Sequence, residues 1–483
     1  MKKILIAAII ASVSTTAHAI DYFTPLTAPA NSGNTNETTN PFLLPSGWIA
    51  NKVTDRFTLN SQPGFQSTFG SWDMIDIGGF NNEFVYIPME IGRGAGVVRY
   101  NRDTGISTTL LGGNNTGVFG SNPVTWSATD DDFGAIDPAV ITPTKMLVVA
   151  EEWSGNGRMF EIRNPGTAAG VADSSVTWLS NIPSVSHEGV KFDNQGRMYF
   201  IDENFSGSLY RMTPNIAGVL TAGKVEVMKV DNFSGAASAA GTGQAGRTGS
   251  GEWVEIVDAD GKVLTTADPF DFTARGGRTA ADEVGATPFG RPEDLEIGTL
   301  ANGNEAIFMA TTDENIVWSI ELGADGDEGV NVTKFVDSLT TPSSQLSPVG
   351  VGVNDSFYGL DDVDNLAMDI GPNGELQLFV IEDENPSDIW VATDADGDGL
   401  ADIIDLFASL GVAGSEATGF ILDPRGGYLV NIQHPSSGND ALWSITQASV
   451  VPVPAAAWLF GSALLGLIAT TRRKKTVSDD LNG

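Results

Sequence analysis

Acidic side chains recur at the two ends of short apolar runs, a placement that suits a site for hard cations. Before such runs stand His187 and Glu188, Arg291, Glu293 and Asp294, and Asp364. After them stand Glu90, Glu151 and Glu152, Asp202 and Glu203, Asp313 and Glu314, Glu382 and Asp383, and His434. Carboxylate oxygens are the ligands that Ca²⁺ prefers, and a bound cation can activate water or polarise a phosphoryl oxygen. Arg291 is suited to holding a phosphate or carboxylate through two parallel hydrogen bonds.

These acids belong to a unit that repeats along the chain. Each unit has an apolar strand, a turn with Asp, Asn or Gly, a second strand, an acidic loop and a third strand. The repeat predicts an all-β fold, a β-propeller of about six blades, in preference to a β-sandwich. Because the first two strands are antiparallel, the start of the first and the end of the second lie at one end of the blade. We therefore expect the acids to converge on one mouth of the central channel.

The repeat also sets the expected boundaries. The propeller is predicted to span residues 70–447, with a Thr-, Asn- and Pro-rich strap at 20–69 outside it. Residues 234–279 are rich in Ala, Gly and Ser, and we expect an insertion that passes over one face with a short hairpin around Asp258.

A simpler explanation exists for any single acid in the set, because Asp and Glu in strand-end loops are also ordinary turn residues. The complete set favours a metal site, since it includes Arg291 and two histidines, His187 and His434.

A second acidic motif lies in residues 394–402, DADGDGLAD. Asp394, Asp396, Asp398 and Asp402 alternate with small residues as in short calcium loops, but the Glu that ends an EF-hand is missing. We expect this loop to bind Ca²⁺ in a structural role.

Composition excludes several classes of protein. The 483 residues include 26 Lys and Arg against 61 Asp and Glu, a formal charge of −35, and no Cys. Such a charge argues against nucleic-acid binding, because nothing replaces the phosphate counterions. Without Cys there is no disulfide framework, thiolate metal site or Cys nucleophile.

The two ends carry targeting signals. Residues 1–19 have the basic start, apolar stretch and small-residue cleavage site of a secretory signal, so the chain is expected to be exported. Residues 451–475 combine VPVP, an apolar stretch and RRKK, which fits a tail anchor inserted in a membrane as a helix. This segment resembles the PEP-CTERM sorting signal of Gram-negative bacteria, which implies transient membrane anchoring, cleavage by an exosortase-type enzyme, and a final place in the periplasm, at the outer surface or in extracellular matrix.

The propeller resembles the PhoX-type alkaline phosphatases through DEVGATPFGRPE (282–293), VDNLA (363–367) and LVNIQHP (429–435). The resemblance implies a six-bladed, exported phosphomonoesterase with calcium and iron at the channel mouth. With this resemblance, Arg291 and His434 are the candidate catalytic residues. The candidate metal ligands at the mouth are Glu90, Glu151, Glu188, Glu203, Glu293 and Asp364.

One departure from that family bears on the metals. Where the family has a Cys that ligates iron, this chain has Ala150, and Met89 replaces a frequent His. The calcium positions are kept and the iron ligand is lost. Two functions stay open: a metal-dependent phosphatase acting on a small phosphate ester, and a calcium-binding surface or matrix propeller without catalysis.

Overall fold

The computed structural model describes residues 23–120, 122–323, 329–340 and 359–448. Its strands form six blades, which confirms the predicted β-propeller. The first strands of all six blades line a central cavity of about 300 Å³. This cavity is the channel that the repeat predicts.

The strands are numbered in chain order, and two of them precede the first blade: β1 (Phe42–Leu43) and β2 (Trp48–Asp55). Blade 1 contains β3 (Asp76–Gly78), β4 (Phe84–Pro88), β5 (Gly96–Asn101) and β6 (Ile106–Gly112). Blade 2 contains β7 (Ile136–Ile141), β8 (Leu147–Glu151), β9 (Met159–Ile162) and β10 (Val176–Trp178). Blade 3 contains β11 (Val190–Phe192), β12 (Met198–Ile201), β13 (Leu209–Pro214), β14 (Gly223–Val230) and β15 (Gly249–Val257).

Blade 4 contains β16 (Pro292–Thr299), β17 (Glu305–Thr311), β18 (Ile316–Leu322) and β19 (Gly329–Asp337). Blade 5 contains β20 (Val363–Ile370), β21 (Leu376–Glu382), β22 (Ser387–Asp394) and β23 (Ile403–Leu410). Blade 6 contains β24 (Glu416–Leu422), β25 (Tyr428–Gln433) and β26 (Ala441–Gln447). The helices are α1 (Arg56–Leu59) and α2 (Gly276–Val284), with single 3₁₀ turns at Val171–Asp173 and Thr312–Glu314.

Each pair of adjacent blades shares a hydrophobic core. Val85 of blade 1 packs with Leu429 of blade 6, and the same kind of cluster fills every other junction around the ring. Strands such as β25 are buried along their whole length, which is why their sequences are continuous apolar runs. The blades are therefore held by apolar burial on both faces.

The segment expected to be a strap carries the strand that closes the ring. β2 pairs with β26 as the outermost strand of blade 6, and β1 pairs with β23 of blade 5. The last blade thus takes its fourth strand from the start of the chain.

The segment expected to be an insertion is partly a blade strand. β15 lies between β14 and β19, so that blades 3 and 4 share one nine-stranded sheet. Residues 249–257 include the apolar Trp253, Val254 and Ile256. The composition of 234–279 as a whole does not reveal this strand, because Gly-rich sequence flanks it. The hairpin around Asp258 is present, with Gly261 donating to the Asp258 carbonyl.

The predicted signal at 1–19 and the sorting segment at 451–475 lie outside the described residues. Within the described part, the structure has no helix long and apolar enough to cross a membrane.

Candidate metal centre

A β-bulge places an acid at the channel mouth in several blades. The first strand skips a register between Ile136 and Ala139, between Pro292 and Leu295, and between Val363 and Leu366. The first residue of each bulged pair is Asp137, Glu293 or Asp364. A bulge turns a side chain away from the alternation of the strand, and here it turns a carboxylate towards the channel.

Blades 1 and 3 supply acids at the matching position. Asp73 follows Trp72, which bridges to Met89, and Glu188 stands two residues before the paired Val190. We call Asp73, Asp137, Glu188, Glu293 and Asp364 the inner acids. In blade 6 the matching residue is Gly419, inside the register skip between Thr418 and Ile421.

A second layer of acids follows the second strands. The backbone N–H groups of Glu90, Glu152, Glu203 and Asp383 donate to the carbonyls of Ser71, Ala135, Ser186 and Asp362, at 2.9, 2.7, 2.9 and 2.9 Å. Each of those carbonyls lies two residues before the inner acid of its blade. Blade 6 contributes Glu416, the first residue of β24, which pairs with Gln433 at the end of its second strand. We call Glu90, Glu152, Glu203, Asp383 and Glu416 the outer acids, and both layers together the carboxylate cluster.

The paired acids after three of the second strands divide into two roles. Glu151 accepts from Arg158 Nε and Nη2 at 2.7 Å each, Asp202 accepts from Arg278 Nε at 2.6 Å, and Glu382 accepts from Trp390 Nε1 at 2.8 Å. The next residue in each case, Glu152, Glu203 or Asp383, belongs to the cluster. Successive side chains of a strand point to opposite sides, so only one of each pair can face the channel.

This division changes one predicted ligand. The structure places Glu151 in a buried ion pair with Arg158 and puts Glu152 at the mouth instead. It gathers the other mouth candidates, Glu90, Glu188, Glu203, Glu293 and Asp364, into the cluster as expected. Sequence reasoning missed Asp73, Asp137 and Glu416 entirely. The missed signal is an acid two residues before an apolar strand residue, as in WDMI and IDPA.

The backbone at the mouth is strained. Ser71, Ala135, Arg291 and Asp362 occupy one equivalent position, two residues before the inner acid, and have φ values of 50°, 46°, 56° and 41°. Non-glycine residues avoid this left-handed region, and such outliers cluster at functional sites. Arg291 Nε lies 2.6 Å from Glu203 Oε1 and 2.9 Å from Glu293 Oε1, which fixes the guanidinium against both layers.

Burial and mutual repulsion raise the pKa values of the cluster. Burial and the neighbouring Glu90 raise the pKa of Asp73 to about 7, and burial with Glu203 raises that of Glu152 to about 12. Burial and Asp383 raise the pKa of Glu416 to about 11. Carboxyls that repel one another in a dry site become ionised when cations offset their charge.

Three inner acids have the geometry of a cation site. One carboxylate oxygen from each of Glu188, Glu293 and Asp364 lies within 4.8 Å of the other two. Asp137 Oδ1 is buried and has no hydrogen-bond partner among the described residues. A buried carboxylate oxygen without a donor fits a metal ligand, because an unpaired buried oxygen is otherwise costly.

His434 stands on the rim. Its side chain is 51% exposed, with Nε2 3.6 Å from Glu416 Oε1 and Nδ1 3.5 Å from Ser71 Oγ. The preceding Gln433 reaches inward, and its Nε2 donates to Glu90 at 2.9 Å. His187 is fully buried beneath the mouth and packs on Phe200.

The aspartate loop lies at the opposite end of blade 5. Asp394 pairs with Leu376, at the end of β21 away from Glu382. Carboxylate oxygens of Asp394, Asp396 and Asp398 lie within 4.8 Å of one another, whereas Asp402 accepts from the backbone of Ala395 at 2.8 Å. This loop is separate from the carboxylate cluster.

Comparison with known proteins identifies the family. The family model for alkaline phosphatase PhoX matches residues 114–436. The chain belongs to the PhoX alkaline phosphatase family. A search of curated proteins finds no match. Among solved structures, Pseudomonas fluorescens PhoX in complex with vanadate, a transition state analogue, is 14% identical over 88% of this chain and 98% of that one, with a TM-score of 0.58.

A more distant likeness is to an auxiliary nutrient binding protein from Bacteroides thetaiotaomicron. It is 10% identical over 86% of this chain and 76% of that one, with a TM-score of 0.44. The solved PhoX structure therefore shares the fold over 88% of this chain, whereas the family model covers residues 114–436. Ala150, which stands where the resemblance implies an iron ligand, lies in an apolar environment. It is buried with Val148, Met159 and Val185 in the core between blades 2 and 3.

Proposed function

We propose that this PhoX-family chain is a calcium-dependent phosphomonoesterase that hydrolyses phosphate esters at the carboxylate cluster. The observation that carries the proposal is the contact of Arg291 with both acid layers, at 2.6 and 2.9 Å, beside three carboxylates spaced to share a cation. The PhoX structure that holds vanadate, a transition state analogue, supports the same chemistry.

The donor set favours calcium over iron. The cluster offers carboxylate oxygens, which suit a hard cation, and Ala150 supplies no thiolate where the resemblance implied an iron ligand. Calcium, when bound, neutralises phosphoryl oxygens and lowers the pKa of water. Glu188, Glu293, Asp364 and Asp137, whose Oδ1 has no hydrogen-bond partner among the described residues, are the residues we assign to holding it.

The protein groups then position and stabilise the reacting phosphate. Glu203 and Glu293 fix Arg291, whose guanidinium we assign to the phosphoryl oxygens, where negative charge develops as the water oxygen bonds to phosphorus and the P–O ester bond breaks. His434, on the rim, is assigned to the ester oxygen of the leaving group, and overall this oxygen gains the proton that the attacking water loses. The left-handed backbone at Arg291 aims this side chain across the mouth.

Substitution of Arg291 tests the proposal. In the full chain with Ca²⁺, Arg291→Ala should lower kcat/KM for p-nitrophenyl phosphate by roughly 10²- to 10³-fold, because one donor to the developing charge is lost. Arg425→Ala is the matched control, since Arg425 pairs with Asp103 on the exposed surface away from the cluster. Metal analysis of the purified chain should find calcium and no stoichiometric iron.

A non-catalytic calcium-binding propeller is the second candidate, favoured by Ala150 and by the engagement of Glu151 with Arg158. Hydrolysis that stays absent with Ca²⁺, with Fe³⁺ and with both would establish this candidate and contradict the first.

We also propose that the loop at 394–402 binds a structural Ca²⁺ through Asp394, Asp396 and Asp398. The backbone N–H groups of Gly397 and Gly399 donate to Asp394, which holds the loop in shape, and Gly397 accepts from Ala301 of blade 4. Asp396→Asn should lower the bound calcium by one ion without loss of turnover. An unchanged calcium content would exclude this site.

Export and sorting complete the proposal. We assign residues 1–19 to a secretory signal and 451–475 to an exosortase-processed sorting segment, which would deliver the propeller to the periplasm or outer surface of a Gram-negative cell. Intact-mass measurement of the cell-derived protein should show a start at Ile20 and loss of the C-terminal segment. A mass that still includes both ends would contradict this assignment.

A further inference from the structure

An aromatic pocket lies beside the carboxylate cluster and has no role in the chemistry described above. Its cavity of about 330 Å³ has three aromatic walls, Phe119, Trp153 and Phe272, and the Glu151–Arg158 ion pair also lines it. The remaining lining residues are Ser154, Asn156 and Thr273. The rings of Phe119 and Trp153 meet edge to face at 5.6 Å, and all three aromatic side chains are half-buried. We call this the aromatic pocket.

The pocket is adjacent to the cluster both in the sequence and in the packing of side chains. Trp153 directly follows Glu152, and its ring lies against the backbone of Gly134, where a Cβ would collide with Cζ2. A Cβ on Gly92, two residues after Glu90, would stand 3.9 Å from the same indole. The pocket therefore borders the segments that follow Glu90 and Glu152, with the Glu151–Arg158 pair in its wall.

The pocket walls are held in place without a ligand. Arg158, in its buried pair with Glu151, lies beneath Phe119 with 5.8 Å between Cζ and the ring centre. Phe272 packs on Trp178 at 5.9 Å, and the Asn156 amide, with its nitrogen towards the backbone, donates to the Phe272 carbonyl at 2.6 Å. A preformed aromatic cavity of this size is typical of small-molecule sites.

We propose that the aromatic pocket binds the planar organic group of the phosphate ester, such as a nucleobase or aryl ring, while the phosphoryl group lies at the carboxylate cluster. This inference rests on the proposed phosphatase function and adds its substrate class. Planar rings stack on Trp and Phe faces, and each base–aromatic contact contributes about 1–3 kcal/mol. The Thr273 hydroxyl donates to Asp271 at 2.6 Å and the Asn156 amide nitrogen donates to the Phe272 carbonyl, so the oxygens of these two side chains are the acceptors offered to the exocyclic amino group of a base.

Binding of two matched ligands tests it. AMP and ribose 5-phosphate share the phosphate and the ribose, and differ in the base. In the calcium-loaded full chain, calorimetry should show AMP binding at least tenfold more tightly. Trp153→Ala and Phe272→Ala should each weaken AMP binding by about fivefold to a hundredfold, as expected for one base–aromatic contact, and leave ribose 5-phosphate unchanged.

Two controls separate stacking from damage to the fold. Trp153→Phe keeps an aromatic face and should retain most of the AMP preference. Phe80→Ala removes a ring that is 97% exposed in the turn between β3 and β4 and should change neither affinity. Equal binding of AMP and ribose 5-phosphate, or failure of AMP to bind, overturns the pocket inference. An AMP preference without hydrolysis of any ester overturns the proposed function and leaves the pocket standing.

Discussion

At the scale of single residues, adjacent acids in this chain have opposite roles. Glu151 neutralises Arg158 in the blade interior, and Glu152 joins the carboxylates that repel one another at the mouth. Asp202 and Glu203 repeat the division with Arg278 and Arg291. One acid of each pair therefore stabilises the blade interior through its arginine, and the other belongs to the carboxylate cluster at the mouth.

The contrast predicts opposite results for two isosteric substitutions. Glu151→Gln should lower the free energy of unfolding by about 3–5 kcal/mol, because it leaves the buried Arg158 without its charge partner. Glu152→Gln should stabilise the calcium-free chain, since it removes one repelling carboxyl, and should weaken calcium binding. Denaturant unfolding with and without Ca²⁺ measures both. Equal destabilisation by the two changes would contradict the division of roles.

The raised pKa values predict how stability depends on pH. Burial and neighbouring acids raise the pKa of Asp73 from 3.8 to about 7 and that of Glu293 from 4.5 to about 8. At a pH between the ordinary pKa and the raised pKa of each group, the folded calcium-free chain keeps a proton that the unfolded chain has released. The stability that these two groups contribute should therefore be greatest below pH 4 and fall as pH rises to 8, by about 1.4 kcal/mol per pH unit for each titrating group.

Calcium should reverse this trend, because it binds the ionised carboxylates. The stabilisation by Ca²⁺, measured as the difference in unfolding free energy with cation and with chelator, should grow from pH 5 to pH 8. A difference independent of pH would show that the cluster does not hold the ion.

At the scale of elements, the bulge in the first strand has two functions in blades 4 and 5. Its first residue faces the channel, as Glu293 and Asp364 do, and its second residue ties the next blade. Asp294 Oδ2 accepts from the backbone of Leu366 at 3.0 Å, and Asn365 Oδ1 accepts from the backbone of Gly419. The spacing of the cluster is thus set by the same hydrogen bonds that hold neighbouring blades together.

Loss of one tie tests this link. Asn365→Ala leaves the buried N–H of Gly419 without an acceptor and should lower the free energy of unfolding by about 1–3 kcal/mol. Asn365→Asp keeps the acceptor oxygen and should restore most of this stability in the presence of Ca²⁺. Denaturant titration of the three proteins distinguishes the outcomes, and an Ala variant as stable as the parent would show that the tie contributes nothing.

The repeat predicted the propeller and the mouth, because strand order and antiparallel pairing follow from periodicity. It could not assign Glu151 and Glu152 to their sides, since one register skip reverses which residue faces the channel. Asp73 and Asp137 were missed for a related reason: a bulge has no composition signal, and each is a single acid among apolar neighbours, Asp73 before β3 and Asp137 inside β7. β15 was hidden by the Gly-rich sequence on both sides of it.

At the scale of the molecule, the ring depends on β2. Trp48 is buried and packs on Phe407 at 5.0 Å and on Tyr428 at 6.1 Å, which joins the closing strand to blades 5 and 6. No other described strand covers the outer edge of β26.

Trp48→Ala should therefore lower the free energy of unfolding by about 3–5 kcal/mol through loss of a large buried side chain. Ile49→Ala, on the exposed face of the same strand, is the matched control and should change it by less than about 0.5 kcal/mol. Denaturant unfolding compares them. Similar values for the two variants would show that β2 does not hold the ring closed.

Closure by β2 also orders events during synthesis. β2 is among the first strands to be synthesised, whereas its partner β26 is the last of the described strands. Their pairing joins distant parts of the chain, since Ser444 Oγ donates to the carbonyl of Asn51, 393 positions away. Contacts of such sequence separation form slowly, because the intervening chain must be ordered first. Since acids from all six blades meet at the mouth, the site cannot assemble on a partial chain. A nascent chain therefore cannot bring all ten acids of the carboxylate cluster together until β26 has been released and has paired with β2.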